Sequence, residues 1–332
     1  MTIPPFITAS QLRAAIGFEA LIETVAEAFR KTSAGEAQNG FSLLFPGDDR
    51  QAGDVFVKSG VLRGAPVFVV KVAPWFAANV QAGRPQGGFV AILDSATGYT
   101  RAILEDEHYL SDIRTAAAGA VVAKLFAPPV VTTTAVLGAG EQAYWQSLAL
   151  YHERPFERLL IWARSPEKAA MLANRLRIRL PGVTFEIMPS VEAAVRQSDV
   201  LITATLSRAP LVHGDWLHPG QHITAVGADD ATKCELDADV LRQSRIFVDE
   251  RATALANGDI YAALQDDPAC GELIVGEIGE VIAGRIAGRR GAEDITVAKL
   301  VGIGAQDVAA GVAAARALGL QPPGSFAEQA GA

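Results

Sequence analysis

Apolar residues recur at roughly helical spacing near the start of the chain. Leu12, Ile16, Leu21, Val25 and Phe29, between Ser10 and Lys31, predict an amphipathic helix with Thr8 or Ser10 as its cap. The next stretch, through Asn39-Gly40 and Pro46-Gly47, reads as loop. Val55 to Leu62 and Val67 to Val72 read as strands joined around Gly64-Ala65, with glycine first in a two-residue type II′ turn. That register sets Lys58 directly opposite Lys71. Two opposed lysines repel each other, and a small carboxylate held between them would remove the penalty. The competing readings are a shifted register, or two ammonium groups in solvent. Gly88 to Leu93 is another strand, Asp94 to Gly98 a turn, and Ser111 the N-cap of an Ala-rich helix reaching Phe126. Arg114 in its first turn would oppose the helix dipole unless it shares an anion with the helix N-terminus. An exposed arginine is the ordinary alternative.

From Pro128 the pattern changes to alternating strands and helices. Strands are expected at Thr133 to Leu137, Leu159 to Ala163, Thr184 to Ile187, Val200 to Thr205, His222 to Val226 and Ile246 to Asp249. Helices are expected at Pro166 to Leu180 and Val191 to Gln197. This alternation implies a mostly parallel, doubly wound α/β sheet of Rossmann type. The first of these strands runs into Gly138-Ala139-Gly140-Glu141-Gln142-Ala143, the order a dinucleotide-binding turn requires. Gly138 allows the tight turn, Gly140 the approach of a pyrophosphate, and Ala143 close packing of helix on strand. Alone that motif competes with an ordinary tight turn. Ligands on such sheets lie beyond the carboxyl ends of the strands, which puts Thr205 and Gly227-Ala228-Asp229 at the cofactor's rim.

Composition narrows the class. The 332 residues are half hydrophobic and one-fifth charged, with mean hydropathy +0.21, as in a globular protein with a sizeable core. A net charge of −8 and a pI near 5.2 argue against a nucleic-acid partner. The most apolar run, Thr115 to Val131, is broken by Lys124 and Pro128-Pro129, short of the ~18 residues of a membrane span. No targeting segment is expected. Cys234 and Cys270 have neither metal nor disulfide-framework spacing, which fits a reducing cytoplasm. The five histidines lack metal-ligand spacing and are expected to be solvated or capping.

An NAD site usually ends its second strand with an acidic residue for the ribose 2′-hydroxyl. Here that strand runs into Ala163-Arg164-Ser165. Arg164 and Ser165, with Lys168, could hold a 2′-phosphate, so NADP(H) is the expected cofactor and NAD(H) the alternative. Ser165-Pro166 is also a plain helix start.

With these pieces placed, the chain resembles the ornithine cyclodeaminase/mu-crystallin family. The matching segments are V-V-K ending at Lys71, R-T-A-A-A-G-A-V-V-A-K from Arg114, G-A-G-E-Q-A from Gly138, V-G-A-D-D-A-T-K-C-E-L-D from Val226, and G-I-G-A-Q-D from Gly302 to Asp307. The resemblance implies a Rossmann domain (128–307) inserted in an α+β substrate and dimerisation domain (1–127 with 308–332), and a homodimer. It implies that Lys71 and Arg114 bind the substrate carboxylate, that Asp229 handles protons at the amino or imino nitrogen, and that Lys233 lies close by. Gln142, Thr205 and Asp307 would line the cofactor site.

Departures from the family pattern bear on substrate. Lys58 stands where ornithine-specific members have a glutamate for the distal amine, and would suit a distal acidic group better. The region Gln38 to Asp49 lacks the usual arginine, and Leu300 replaces a common serine. V-K-S-G at Val57 to Gly60 is similar to the branch associated with ectoine utilisation. Three activities follow from the resemblance. The first is hydride transfer at the α-carbon of a small amino or imino acid; the others are ornithine cyclodeamination and non-catalytic, NADPH-dependent ligand binding.

Overall fold

The computed structural model describes residues 3–47 and 52–320. Asp48, Asp49 and the small-residue tail after Pro322 lie outside the described residues. The chain divides into two compact units, Met1–Arg114 with Ile303–Ala332, and Thr115–Gly302.

The first unit holds a six-stranded sheet in the order Phe6–Ile7, Thr100–Glu105, Phe89–Asp94, Val67–Phe76, Gly53–Leu62, Ala37–Leu44. The short first strand pairs parallel to Thr100–Glu105, and the other pairs are antiparallel. The helices Ile22–Ser33 and Gly304–Ala317 pack against it.

All five apolar positions of the first helical pattern are buried, but not in one helix. Ala9–Ala15, capped by Thr8, is followed by a 3-10 turn at Phe18–Leu21 and then Ile22–Ser33. Gly17 is the break: extended, it costs nothing there and about 1 kcal/mol inside a helix. The stretch read as loop forms the strand Ala37–Leu44. Gln38, Asn39, Gly40 and Ser42 are poor strand formers, and the ladder from Ala37↔Leu62 to Leu44↔Val55 decides the matter.

The hairpin register is as expected, with Lys58 opposite Lys71. Its turn is not. Ala65 N–H donates to the Leu62 carbonyl at 3.0 Å, so Gly64 (φ +74°) is third in the turn Leu62–Ala65. A type II′ turn closed at Pro66 would need an N–H that proline lacks.

The Ala-rich helix spans Tyr109–Phe126, starting three residues earlier than it would with Ser111 as its N-cap. Its cap is Asp106, whose carboxylate accepts from Leu110 N–H (2.7 Å) and Ser111 Oγ (2.8 Å). Arg114 therefore lies in the second turn.

The second unit is an eight-stranded parallel sheet. Its order is Ile274–Glu277, Arg245–Val248, Thr296–Lys299, His222–Ala225, Val200–Thr203, Thr133–Leu137, Arg158–Trp162, Thr184–Ile187. All six strands read from the pattern are present within two residues. The sequence pattern does not predict Ile274–Glu277, which contains Gly276, or Thr296–Lys299, which inserts between strands far from it in sequence. Leu137, Leu160, Leu201, Ile223 and Val297 are among its core residues. The order reverses between Thr133–Leu137 and Val200–Thr203, which are paired. That reversal is the crevice where doubly wound sheets take dinucleotides.

Candidate functional site

In the first unit, strand alternation turns Val67, Val69, Lys71 and Ala73 to the buried face. A lysine at an inward position must find a partner. Lys71 Nζ lies 2.8 Å from Asp307 Oδ1, and Arg114 Nε lies 3.2 Å from the same oxygen. Arg114 Nη1 also donates to Gln306 Oε1 at 2.9 Å. Lys58 is on the same buried face, its Nζ 5.3 and 5.6 Å from the rings of Phe41 and Phe56. Exposure of Lys58, Lys71, Arg114 and Asp307 is 4%, 2%, 7% and 3%, so these charges meet in low dielectric. Burial works against ionisation of Asp307, yet Lys71, Arg114 and Lys58 outweigh it and hold the carboxyl below its ordinary range. Asp307 Oδ2 and Gln306 Nε2 are buried without a hydrogen-bond partner among the described residues.

In the second unit, Gly138 has φ +118°, and a Cβ there would lie 2.3 Å from the Ala204 carbonyl oxygen. Only glycine fits. Gly140 precedes the helix Glu141–Glu153 and offers no side-chain cap, and a Cβ on it would meet nothing within 4 Å. The first N–H groups of a helix have no partner inside it, so this open cradle at a helix N-terminus fits a pyrophosphate. Ala143 is fully buried, as close packing of helix on strand requires.

A sequence model of the ornithine cyclodeaminase/mu-crystallin family matches residues 5–316. The chain belongs to that family. Alanine dehydrogenase of Archaeoglobus fulgidus is 31% identical over 309 residues, 91% of each chain. Among solved structures, Delta(1)-pyrroline-2-carboxylate reductase of Thermococcus litoralis, in complex with NADH and L-proline, matches with TM-score 0.88 at 28% identity, covering 94% of this chain and 97% of that one. Iminosuccinate reductase of Paracoccus denitrificans, in complex with NAD+, matches with TM-score 0.85 at 27% identity, covering 95% and 96%.

The remaining site residues expected from the sequence fall as follows. Half-buried Asp229 has its Oδ1 2.5 Å from Lys233 Nζ, and Asp230 Oδ2 is 3.2 Å from the same ammonium. Burial disfavours the Lys233 ammonium, but Asp229 and Asp230 outweigh that and raise its pKa. Gln142 lies in the first turn of the helix after the glycine loop. Ser165 caps Pro166–Arg179, accepting from Lys168 N–H at 3.2 Å, and Arg164 beside it is exposed. Thr205 and Gly227 follow adjacent strands, and both donate N–H to Glu235.

Glu235, Asp259 and Lys299 escaped the sequence reading. All three are buried, with Lys299 Nζ 2.9 Å from Asp259 Oδ2. Burial, reinforced by Asp259, pushes the Glu235 carboxyl up to about 7. The available signal was V-G-A-D-D-A-T-K-C-E-L-D itself, a charged residue at the centre of the apolar run Cys234–Leu236.

Proposed function

We propose that the chain is a nicotinamide-dependent oxidoreductase acting at the α-carbon of a small amino or imino acid, as an imine reductase or amino-acid dehydrogenase. The observation that carries this is the convergence of buried Lys71 and Arg114 on one oxygen of Asp307, while the other oxygen, Oδ2, is buried without a hydrogen-bond partner among the described residues. Two buried cations side by side repel each other unless anionic groups are shared between them. A substrate carboxylate would join Asp307 in that role. Both Lys71 and Arg114 carry more N–H donors than Asp307 and Gln306 engage, and Asp307 Oδ2 can accept from a ligand N–H.

A bound nicotinamide supplies or takes the hydride. Lys71 and Arg114 hold the carboxylate and so orient the α-carbon, and Asp229, ion-paired with Lys233, gives or takes the proton of the nitrogen. Gly138, Ala139, Gly140, Gln142, Thr205 and Gly227 form the cofactor side. The reading includes a preference for NADP(H), supported by Arg164, Ser165 and the missing acidic residue. It also includes a homodimer, supported by exposed Phe41 and Leu44 on a strand at one end of its sheet. Lys58 favours a substrate with an acidic or uncharged distal group over one with a second ammonium. The first unit is thus assigned to substrate and dimerisation, the second to the nucleotide.

The test follows reduced-nicotinamide absorbance with a panel of cyclic and acyclic imino acids, and the reverse reaction with amino acids. Turnover is expected with at least one small carboxylated imine. Lys71→Ala should lower kcat/KM by about 100-fold or more, the scale of losing one partner of a buried charge pair, with cofactor affinity unchanged. Ammonia release from a diamino acid without net nicotinamide change would replace this reading with cyclodeamination.

A further inference from the structure

Glu235 sits on the short strand Cys234–Leu236, and its carboxylate gathers three donors. Thr203 Oγ1 donates to it at 2.7 Å, Thr205 N–H at 2.7 Å and Gly227 N–H at 3.0 Å. These donors come from the ends of two paired parallel strands, Val200–Thr203 and His222–Ala225, and the loops that follow. Space there is tight: a Cβ on Gly227 would lie 2.4 Å from Thr205 N and 2.5 Å from Glu235 Oε1. Glu235 is itself anchored, because its N–H and that of Leu236 donate to Asp259 Oδ1 at 2.6 and 2.9 Å. Asp259 is ion-paired in turn with Lys299.

We propose that Glu235 is a positioning residue for the nicotinamide half of the dinucleotide, clamping the two loops after Thr203 and Ala225 in the conformation that receives it. This rests on the cofactor reading above. In a doubly wound sheet the strands on one side of the reversal serve the adenosine half and those on the other side the nicotinamide half. Both clamped loops belong to the second group, and the glycine turn at Gly138–Gly140 to the first. A carboxylate offers only acceptors, which suits three converging donors. An amide would turn an N–H toward one of them, so both loops could not be satisfied together.

The experiment is titration calorimetry on the full chain with the dinucleotide that the wild type binds more tightly. NADPH is compared with 2′-phospho-ADP-ribose, or NADH with ADP-ribose, the fragment lacking the ring in each case. Glu235→Gln should weaken dinucleotide binding by about 10-fold, the scale of one lost bond to a charged group. Fragment affinity should stay within about two-fold, the precision of comparing distant sites. Thr203→Val, which removes one donor and keeps the carboxylate, should show a smaller loss in the same direction and carries the test if Glu235→Gln does not fold. Unchanged dinucleotide affinity in the folded variants overturns the proposal. A parallel loss of dinucleotide and fragment also overturns it, since Glu235 would then support the sheet at large. Wild-type protein that binds neither dinucleotide removes the cofactor reading, and the proposal with it, before any variant is compared.

Discussion

His222 lies inside a parallel sheet between two hydroxyls, Thr296 Oγ1 at 2.9 Å and Thr224 Oγ1 at 3.0 Å, with no exposed surface. It was expected to be solvated or capping, and the fold buries it instead. Burial, aided by the Arg289 charge, pushes its pKa down to about 3. The unfolded chain would protonate it near 6.5. A base with a depressed folded pKa contributes stability that is present above the unfolded value and is lost as pH falls toward about 3. Glu235 has the opposite sign: its stabilising share is present below the ordinary carboxyl range and is lost as pH rises through about 7. His222→Asn should therefore be less stable than wild type at neutral pH but lose less Tm between about pH 7 and 5, where the histidine titrates. Thermal melts across that range check it, and parallel Tm–pH curves for the two proteins would contradict the assignment. At this scale residue type was legible but environment was not. Lys71 at an inward strand position could be read from alternation; its partner Asp307, 236 residues away, could not.

Elements were legible wherever period and length sufficed. Thr184–Ile187 and Thr133–Leu137 match their expected bounds, and the Lys58–Lys71 register followed from the loop. The turn type, the cap at Asp106 and the strand Ala37–Leu44 depended on neighbours outside the local window. One close approach tests such packing directly. A Cβ on Gly304 would lie 1.9 Å from the Ser59 carbonyl oxygen, and one on Gly60 would lie 2.2 Å from the Gly304 carbonyl oxygen. The helix Gly304–Ala317 thus meets the strand Gly53–Leu62 backbone to backbone. Gly304→Ala should destabilise by about 1–3 kcal/mol, the cost of overpacking a site that cannot give way, despite alanine's better helix propensity. Urea unfolding measures it, and a neutral or stabilising result would mean the contact is loose.

For the whole molecule, the first unit is built from both ends of the chain and the second from its middle. A ligand that binds only the native state stabilises by mass action, about 2.7 kcal/mol at one hundred times its Kd. Saturating NADPH should raise Tm more than NADH at equal concentration. Arg164→Ala should remove most of that difference while leaving the NADH shift in place. A Tm shift equal for both nucleotides and indifferent to Arg164 would refute the NADP(H) preference. Among the described residues no helix is long and apolar enough to cross a membrane.

By itself the sequence determined whatever acts over a few residues: the glycine turn, the strand and helix periods, the hairpin register, and the family to which those motifs belong. Tertiary structure decided which distant groups share a buried environment. It joined Asp307 to Lys71 and Arg114, set Glu235 between two strand ends, and buried His222 in the sheet. The cost of placing a charge out of water, and the partner that offsets it, depend on contacts made only in the folded chain, and local periodicity carries no information about them.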